Sequence, residues 1–497
     1  MKIYLVTKSD AFIPPNKKHA LKRKIFGNPV QIHHLWQKYQ ADMNTLPPAF
    51  EQRIRRQLGN ETEAFLQALN TPAPVSIRLN PGKTPIPADP DTTGNGTRPV
   101  PWCPEGLYLP ERPAFTLDPL LHGGAYYVQE ASSMFLAHVL RQLLPAAPVR
   151  MLDLCAAPGG KSTLAASLLP PGSLLVANEV IRSRAAILRE NIIKWGQDNI
   201  VVTNNDPAGF APLEGAFDLI LVDAPCSGEG MFRKDPAAIA EWSEANARLC
   251  AERQRRILAD IWQCLRPGGT LVYSTCTYNP DEDEAILEWL LSEWDAETIP
   301  LPCPFPGVTP AESPACAFRF YPHKTAGEGF FIGAVRKTGG KTFTPRKPKK
   351  GKTGNITPLP PALKPYLLHP EQYAAYTLDG TTGILPAAHA SFIETLGSTL
   401  RILYQGCEIA EANNRKIKLL HPAALWQGLN RDACTPYPVE LPAALAYLRK
   451  EDLPVPPAPA DWLLVTYRGI PLGWCKHLGT RLNNYYPKEW RIRMQTP

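Results

Sequence analysis

Several signals that would place this chain in a familiar class are missing. No uninterrupted apolar run approaches the roughly 18 to 20 residues that a membrane span needs. The first residues also lack the charged start, apolar stretch and small-residue cleavage site of a secretory signal. The expectation is a cytoplasmic protein with no membrane partner. The 11 cysteines are irregularly spaced and never form a Cys-x-x-Cys pair, which argues against a disulfide framework and against a zinc site. No metal is expected. Acidic residues do not dominate: 53 Lys and Arg against 46 Asp and Glu leave a formal charge of +7, a mild basic bias that permits nucleic acid. Two nucleotide fingerprints also fail. The dinucleotide G-x-G-x-x-G is not met, and Gly160-Lys-Ser162 lacks the glycine that a phosphate-binding loop needs five residues earlier, where Cys155 stands.

What is present is a chain of 497 residues, 44% apolar, enough for two or three packed domains, with 54 prolines that imply many rigid loops. It is organised around Met151-Leu-Asp-Leu-Cys-Ala-Ala-Pro-Gly-Gly-Lys-Ser-Thr163, which reads as a buried strand, a glycine turn and the first turn of a helix. Phe217-Asp-Leu-Ile-Leu-Val-Asp-Ala-Pro-Cys-Ser227 and Gly269-Thr-Leu-Val-Tyr-Ser-Thr-Cys-Thr277 likewise run apolar and stop on polar residues. In a doubly wound sheet all three strand ends face one crevice. Strands are expected at 151–154, 174–178, 200–203, 218–222 and 270–275, with helices near 161–168, 182–195 and 246–265. Arg266-Pro-Gly-Gly269 breaks the last helix, and 329–335 reads as an antiparallel edge strand.

Upstream, apolar spacing over 50–69 predicts a helical pair, 75–80 alternates like a strand, and 81–125 is loop-heavy. Residues 126–133 lead into a helix ending near Pro145. The expected division is a basic extension 1–43, an N-terminal RNA-binding subdomain 44–148, a catalytic domain 149–337, a basic linker 338–356 and a C-terminal RNA-binding region 357–497. Residues 1–43 fit poorly with the rest, and translation is expected to begin at Met43; a basic RNA-contacting arm is the alternative. Basic residues crowd 336–352 with no acid among them, as in a solvated linker that could also hold phosphate. The closing stretch 472–492 interleaves aromatic, basic and amide side chains. That mixture suits RNA and equally an ordinary small β-domain.

Glu179 follows Asp153 by about 26 residues, near the interval at which an acid meets a ribose hydroxyl, and Asp206 closes the third strand where it could meet an adenine amino group. Any one such acid reads as a surface carboxylate; three at successive strand ends favour a ligand. One with ribose and adenine but little phosphate is S-adenosylmethionine. Cys226 and Cys276 stand just past two core strands, beside Asp223. A lone cysteine there is often packing, whereas two suggest thiolate chemistry. Cytosine C5 is a poor nucleophile, but a thiolate adding at C6 makes C5 enamine-like and able to attack a sulfonium methyl group. A base must then take the C5 proton.

At these residues the chain resembles the Nop/Sun family of RNA cytosine-C5 methyltransferases. The resemblance rests on Asp153-Leu-Cys-Ala-Ala-Pro-Gly-Gly-Lys161, Asp223-Ala-Pro-Cys-Ser-Gly-Glu-Gly230 and Ser274-Thr-Cys-Thr-Tyr-Asn-Pro-Asp-Glu-Asp-Glu284. Supporting stretches are Pro101-Trp-Cys-Pro-Glu-Gly106, Tyr126-Tyr-Val-Gln-Glu130, Arg319-Phe-Tyr-Pro-His323 and Gly327-Glu-Gly-Phe-Phe331. Leu472-Gly-Trp and Asn484-Tyr-Tyr-Pro-Lys488 are similar to the tail of the RsmF-type subgroup. The resemblance implies a Rossmann-like, S-adenosylmethionine-dependent methyltransferase fold of α/β class. It adds an N-terminal α+β subdomain and a PUA-like, β-rich end at about 435–497, with 16S rRNA of the small ribosomal subunit as substrate and no DNA. It also implies that Cys276 is the nucleophile, Cys226 helps release the product and Asp223 holds the base. Cys155, Ala156, Ala157, Pro158, Gly159, Gly160, Lys161, Glu179, Asp206 and Asp223 would line the cofactor pocket. Asp281-Glu-Asp-Glu284 departs mildly from the Glu-Asn-Glu usual in the family. The competing readings are a non-catalytic RNA-binding or ribosome-assembly factor and an ATPase. The first sits badly with both cysteines and the intact glycine turn, the second with the failed phosphate loop. A DNA cytosine enzyme would promote Cys226 over Cys276.

Overall fold

Proline at the helix start and an apolar stripe along one face shape the first element, Pro48–Leu58, which stops at Gly59 with φ +53. A second helix, Thr62–Leu69, completes the expected pair. The computed structural model describes residues 46–84, 96–344, 355–411, 417–457 and 461–495, so the basic stretch 1–43 lies outside the described residues. Phe50, Ile54 and Phe65 are fully buried against Phe232, Trp242, Tyr278 and Tyr321. Each aromatic contributes about 1.5–3 kcal/mol by leaving water. The pair is thus fastened to the loops that carry the two candidate cysteines.

A four-stranded antiparallel sheet follows: β1 (Val75–Leu79), β2 (Arg98–Val100), β3 (Cys103–Leu109) and β4 (Tyr126–Val128), in the order β2-β3-β1-β4. Residues 96–125 are therefore more ordered than the proline and glycine content of 81–125 suggests; within that stretch, 85–95 lies outside the described residues.

The central sheet has a parallel middle formed by β5 (Arg150–Asp153), β6 (Leu174–Asn178), β7 (Ile200–Thr203), β8 (Phe217–Asp223) and β9 (Leu265–Thr275). Every residue of β6 and β7 is buried, as expected for strands covered on both faces. The covering helices are Leu136–Leu143, Gly160–Leu168, Arg182–Trp195, Glu244–Trp262 and Glu284–Glu293. Beyond β9 lie β10 (Ala296–Thr298), β11 (Thr309–Pro310), β12 (Ala317–Phe320) and β13 (Phe330–Lys337), all antiparallel. The expected edge strand, β13, is interior: it pairs with β9 on one side and with β10 and β12 on the other. Arg266-Pro-Gly-Gly269 does not simply separate helix from strand. The helix ends at Trp262, and the four residues form an irregular start to β9, where the register with β8 slips.

The C-terminal region opens with β14 (Asn355–Pro358), β15 (Tyr373–Leu378) and β16 (Thr381–Pro386). The next strand, β17 (Ile402–Gln405), leaves this group and pairs antiparallel with β7, so it extends the central sheet. No pattern in the sequence announced that exchange. β18 (Cys407–Glu411) returns to the first group, and β19 (Thr435–Pro438), β20 (Trp462–Tyr467), β21 (Ile470–His477) and β22 (Leu482–Asn484) form a last sheet. Its Trp474 and Tyr486 are buried in cores, so neither is free to stack on a base. Lys337, assigned to the solvated run, is buried too. Its ammonium donates to the carbonyls of Trp262 (3.0 Å) and Leu265 (2.9 Å) and so caps the end of the long helix.

The appended units meet at the carboxyl end of helix Arg182–Trp195. The Asn80 amide donates to Gly124 O (2.8 Å) and Trp195 O (2.9 Å), Lys83 to Gly123 O (2.9 Å) and Lys194 O (2.6 Å), and Gln427 to Trp195 O (2.9 Å). Gly124 has φ +69, and a Cβ there would lie 1.8 Å from Lys194 O. Gly124→Ala is expected to lower the stability of this junction by at least about 2 kcal/mol. A urea unfolding curve unchanged from wild type would contradict the packing described.

Candidate active site

Parallel pairing of β5, β8 and β9 brings three carboxyl ends to one rim. After β5 the chain turns at Gly159, whose φ of +114 only glycine takes easily, and enters the helix at Gly160. Lys161, on its first turn, reaches across the rim rather than back to the turn. Its ammonium sits 2.8 Å from Asp223 Oδ2 at the end of β8 and 5.1 Å from the Phe330 ring centroid. The Ser274 hydroxyl at the end of β9 donates to the other oxygen, Asp223 Oδ1 (2.8 Å). Burial works against the Lys161 charge, but Asp223 and the nearby Cys276 sulfur together hold its pKa above the ordinary value.

The loops after β8 and β9 carry Cys226 and Cys276, and their sulfurs stand 3.2 Å apart. The Cys226 thiol is pushed well up, first by its hydrogen bond with Cys276 and then by burial. Both effects oppose ionisation of Cys226. Three hydrogen bonds stitch the loops together: Ser227 Oγ with Thr277 Oγ1 (2.9 Å), Gly230 N to Cys276 O (2.9 Å) and Tyr278 N to Glu229 Oε2 (3.2 Å). A Cβ on Gly230 would lie 2.5 Å from Gly329 O and 2.8 Å from Cys276 O, so the loops approach closely because no side chain stands between them. Below the loops, Glu282 Oε2 accepts from Ser227 N (2.8 Å) and Gln254 Nε2 (3.0 Å).

On the other side of Asp223 lies the glycine turn, formed by Cys155, Ala156, Ala157, Pro158 and Gly159. Burial pushes the Cys155 thiol well up, so it is held neutral. Asp153 is fully buried; one oxygen accepts from Ser162 Oγ (2.7 Å) and the other has no hydrogen-bond partner. Burial raises its pKa to about 7. Glu179, at the end of β6, accepts from Ile181 N (2.9 Å) and pairs with Arg184 (3.3 Å), which also donates to Ala157 O (2.8 Å). The apolar side chains of Val180 and Ile181 beside it are exposed. An acid at the second strand end, exposed apolar neighbours and an orphaned buried oxygen under a glycine turn fit a nucleoside-bearing cofactor. Asp206 is exposed at the rim beyond β7 and caps Ala208 N (3.1 Å).

Sequence reasoning missed several supports. Ser274 could have been found, since it is a polar residue at the end of an apolar strand, two residues before Cys276, and parallel pairing sets it opposite Asp223. Arg78 carried no such signal. It reaches from β1 to donate to Thr163 Oγ1 (2.6 Å), Gly160 O (3.2 Å) and Gln129 Oε1 (2.8 Å), and it stacks on Trp195 at 4.4 Å. The stretches 126–130 and 327–331 meet directly, Glu130 accepting from Glu328 N (2.9 Å).

A family model described as 16S rRNA methyltransferase RsmB/F matches residues 141–336, which contain all of this crevice. The N-terminal domain of 16S rRNA methyltransferase RsmF matches 46–131, and the methyltransferase RsmF PUA domain matches 435–492. A protein named ribosomal RNA small subunit methyltransferase F from Enterobacter sp. (strain 638) is 35% identical over 450 residues, covering 86% of this chain and 92% of its own. Its namesake from Escherichia coli O127:H6 is 34% identical over 473 residues, covering 89% and 96%. Among solved structures, a methyltransferase homolog protein from Pyrococcus horikoshii is 29% identical with a TM-score of 0.50, covering 63% of this chain and 100% of that one. The crevice, the two flanking domains and these relatives together place the chain in the RsmF-type branch of the Nop/Sun family, to which it belongs.

Proposed function

We propose that the protein transfers a methyl group from S-adenosylmethionine to C5 of a cytosine in small-subunit ribosomal RNA, through a covalent cysteine–C6 adduct. The observation that carries this reading is the pair of sulfurs 3.2 Å apart beside the Asp223–Lys161 ion pair. A single thiol would suffice for a simple adduct. Two in contact suit a cycle in which one bonds to carbon and the other handles a proton.

Cys276 attacks as the thiolate. Its electron pair forms the S–C6 bond, and the C5–C6 double-bond electrons become available at C5. The Asp223–Lys161 pair supplies an acceptor and a donor for the polar edge of the base: the carboxylate faces the exocyclic amine, and the ammonium faces the ring nitrogen or carbonyl where negative charge builds. S-adenosylmethionine, when bound, supplies the electrophilic methyl group. The glycine turn, Glu179 and Asp206 would hold it. Cys226, ionised once its proton has passed to the ring, takes the C5 proton. The C–H electrons re-form the C5–C6 double bond, Cys276 leaves as thiolate, and the proton lodged on the ring nitrogen passes to solvent. The target base must leave any helical stack to reach the crevice.

Cys276→Ala is expected to lower methyl incorporation into small-subunit RNA by about 10³-fold or more and to leave no denaturation-resistant protein–RNA adduct. Cys226→Ala is expected to accumulate that adduct. The reverse pattern would make Cys226 the nucleophile. Absence of both activities in the wild type, on naked RNA and on subunits, would leave a binding factor.

Glu282 gives a second expectation. Its carboxyl is buried, with Oε1 unpartnered, and burial pushes its pKa from 4.5 to about 7. The folded protein therefore binds more protons here than the unfolded chain between those values, so stability falls as pH rises from about 4.5 to 7. Glu282→Gln is expected to flatten that slope in a series of urea midpoints. A slope as steep as the wild type's would assign the pH dependence elsewhere.

A further inference from the structure

Both cysteine loops are also held by one side chain from outside the α/β core. Arg53 projects from helix Pro48–Leu58, its guanidinium 5.4 Å from the Phe50 ring centroid. One terminal nitrogen donates to Tyr278 O (3.0 Å) and Gln57 Oε1 (3.2 Å); the other contacts Glu229 Oε1 at 2.5 Å. Tyr278 lies two residues past Cys276, and Glu229 three past Cys226.

Glu229 is fully buried and spends its oxygens on the same region: Oε1 also accepts from Trp242 Nε1 (2.9 Å), and Oε2 from Tyr278 N (3.2 Å). Tyr278 is therefore gripped at both ends of its backbone, the N–H by Glu229 and the carbonyl by Arg53. The ring of contacts closes through Gly230 N, which donates to Cys276 O (2.9 Å). A guanidinium is suited to this place because its planar fork serves acceptors on two different loops at once. An ammonium is a point charge with no such fork.

We propose that Arg53 is a positioning residue for the two-thiol site. By holding Glu229 and Tyr278 in one fork, it sets the contact between Cys226 and Cys276. A side chain of the N-terminal helix that touches neither sulfur thus governs how they cooperate. The consequence for turnover rests on the methyl-transfer reading above; the consequence for geometry does not.

The test uses the full chain and two variants. Arg53→Lys keeps the charge opposite Glu229 and loses the fork. Arg53→Met with Glu229→Gln removes both charges, so no lone buried carboxylate confounds folding. Sulfur proximity is read with dibromobimane, which bridges only neighbouring thiols, the Cys226–Cys276 product being identified by peptide mass. Wild type is expected to cross-link this pair, and both variants to lose most of the product. An ångström-scale misplacement should also lower kcat by about 10- to 100-fold, with S-adenosylmethionine affinity unchanged within about twofold. Wild-type cross-linking and kcat in both variants would overturn the proposal. So would a change confined to melting temperature or cofactor affinity, or full function in Arg53→Lys, which would show that charge alone suffices. If the wild type neither methylates RNA nor forms an adduct while its cross-link still depends on Arg53, the positioning role stands and the cytosine reading falls.

Discussion

Two sulfur atoms 3.2 Å apart cannot both carry a charge without strong repulsion, and much of the structure serves that contact. At most one of the two can be ionised at a time, and the other then stands beside it as a thiol. To hold such a contact, the loops after β8 and β9 cannot drift. Parallel pairing brings the strand ends level, and backbone and hydroxyl bonds then join the loops residue by residue. Gly230 is part of the same requirement, because its missing side chain leaves room for the Cys276 carbonyl.

Around the sulfurs the polar groups form a connected set. Asp223 is held at both oxygens, by Lys161 and Ser274. Burial raises Asp153 on one side of it and Glu282 on the far side of the loops, both to about 7. A crevice arranged in this way places one committed ion pair between two carboxyls whose charge is costly. That division suits a site where charge appears on a base and must be withdrawn again.

The flanking units are built into this arrangement rather than tethered to it. Arg78 supports the glycine turn from the N-terminal sheet, and β17 closes the far side of the central sheet from a C-terminal position. The end of helix Arg182–Trp195 is where both reach the core. Its carbonyls have no partners within the helix and take them from Asn80, Lys83 and Gln427.

The sequence by itself determined the parallel middle of the sheet and the rim. Apolar runs such as 218–222 that stop on Asp and Pro-Cys carry their own strand ends, and a glycine turn after Asp153 needs no partner to be recognised. Local chemistry was enough. Ranking the two cysteines came from family resemblance, since spacing treats them alike. Tertiary structure alone decided that the sulfurs touch, that Lys161 turns to Asp223, and that β13 is interior. It also decided that Lys337 is buried in a run of otherwise linker-like charge, and that β17 crosses into the sheet. The physical reason is the same throughout: each depends on which distant backbone supplies a carbonyl, an amide or an apolar face. Period and composition report only what neighbouring residues do to one another.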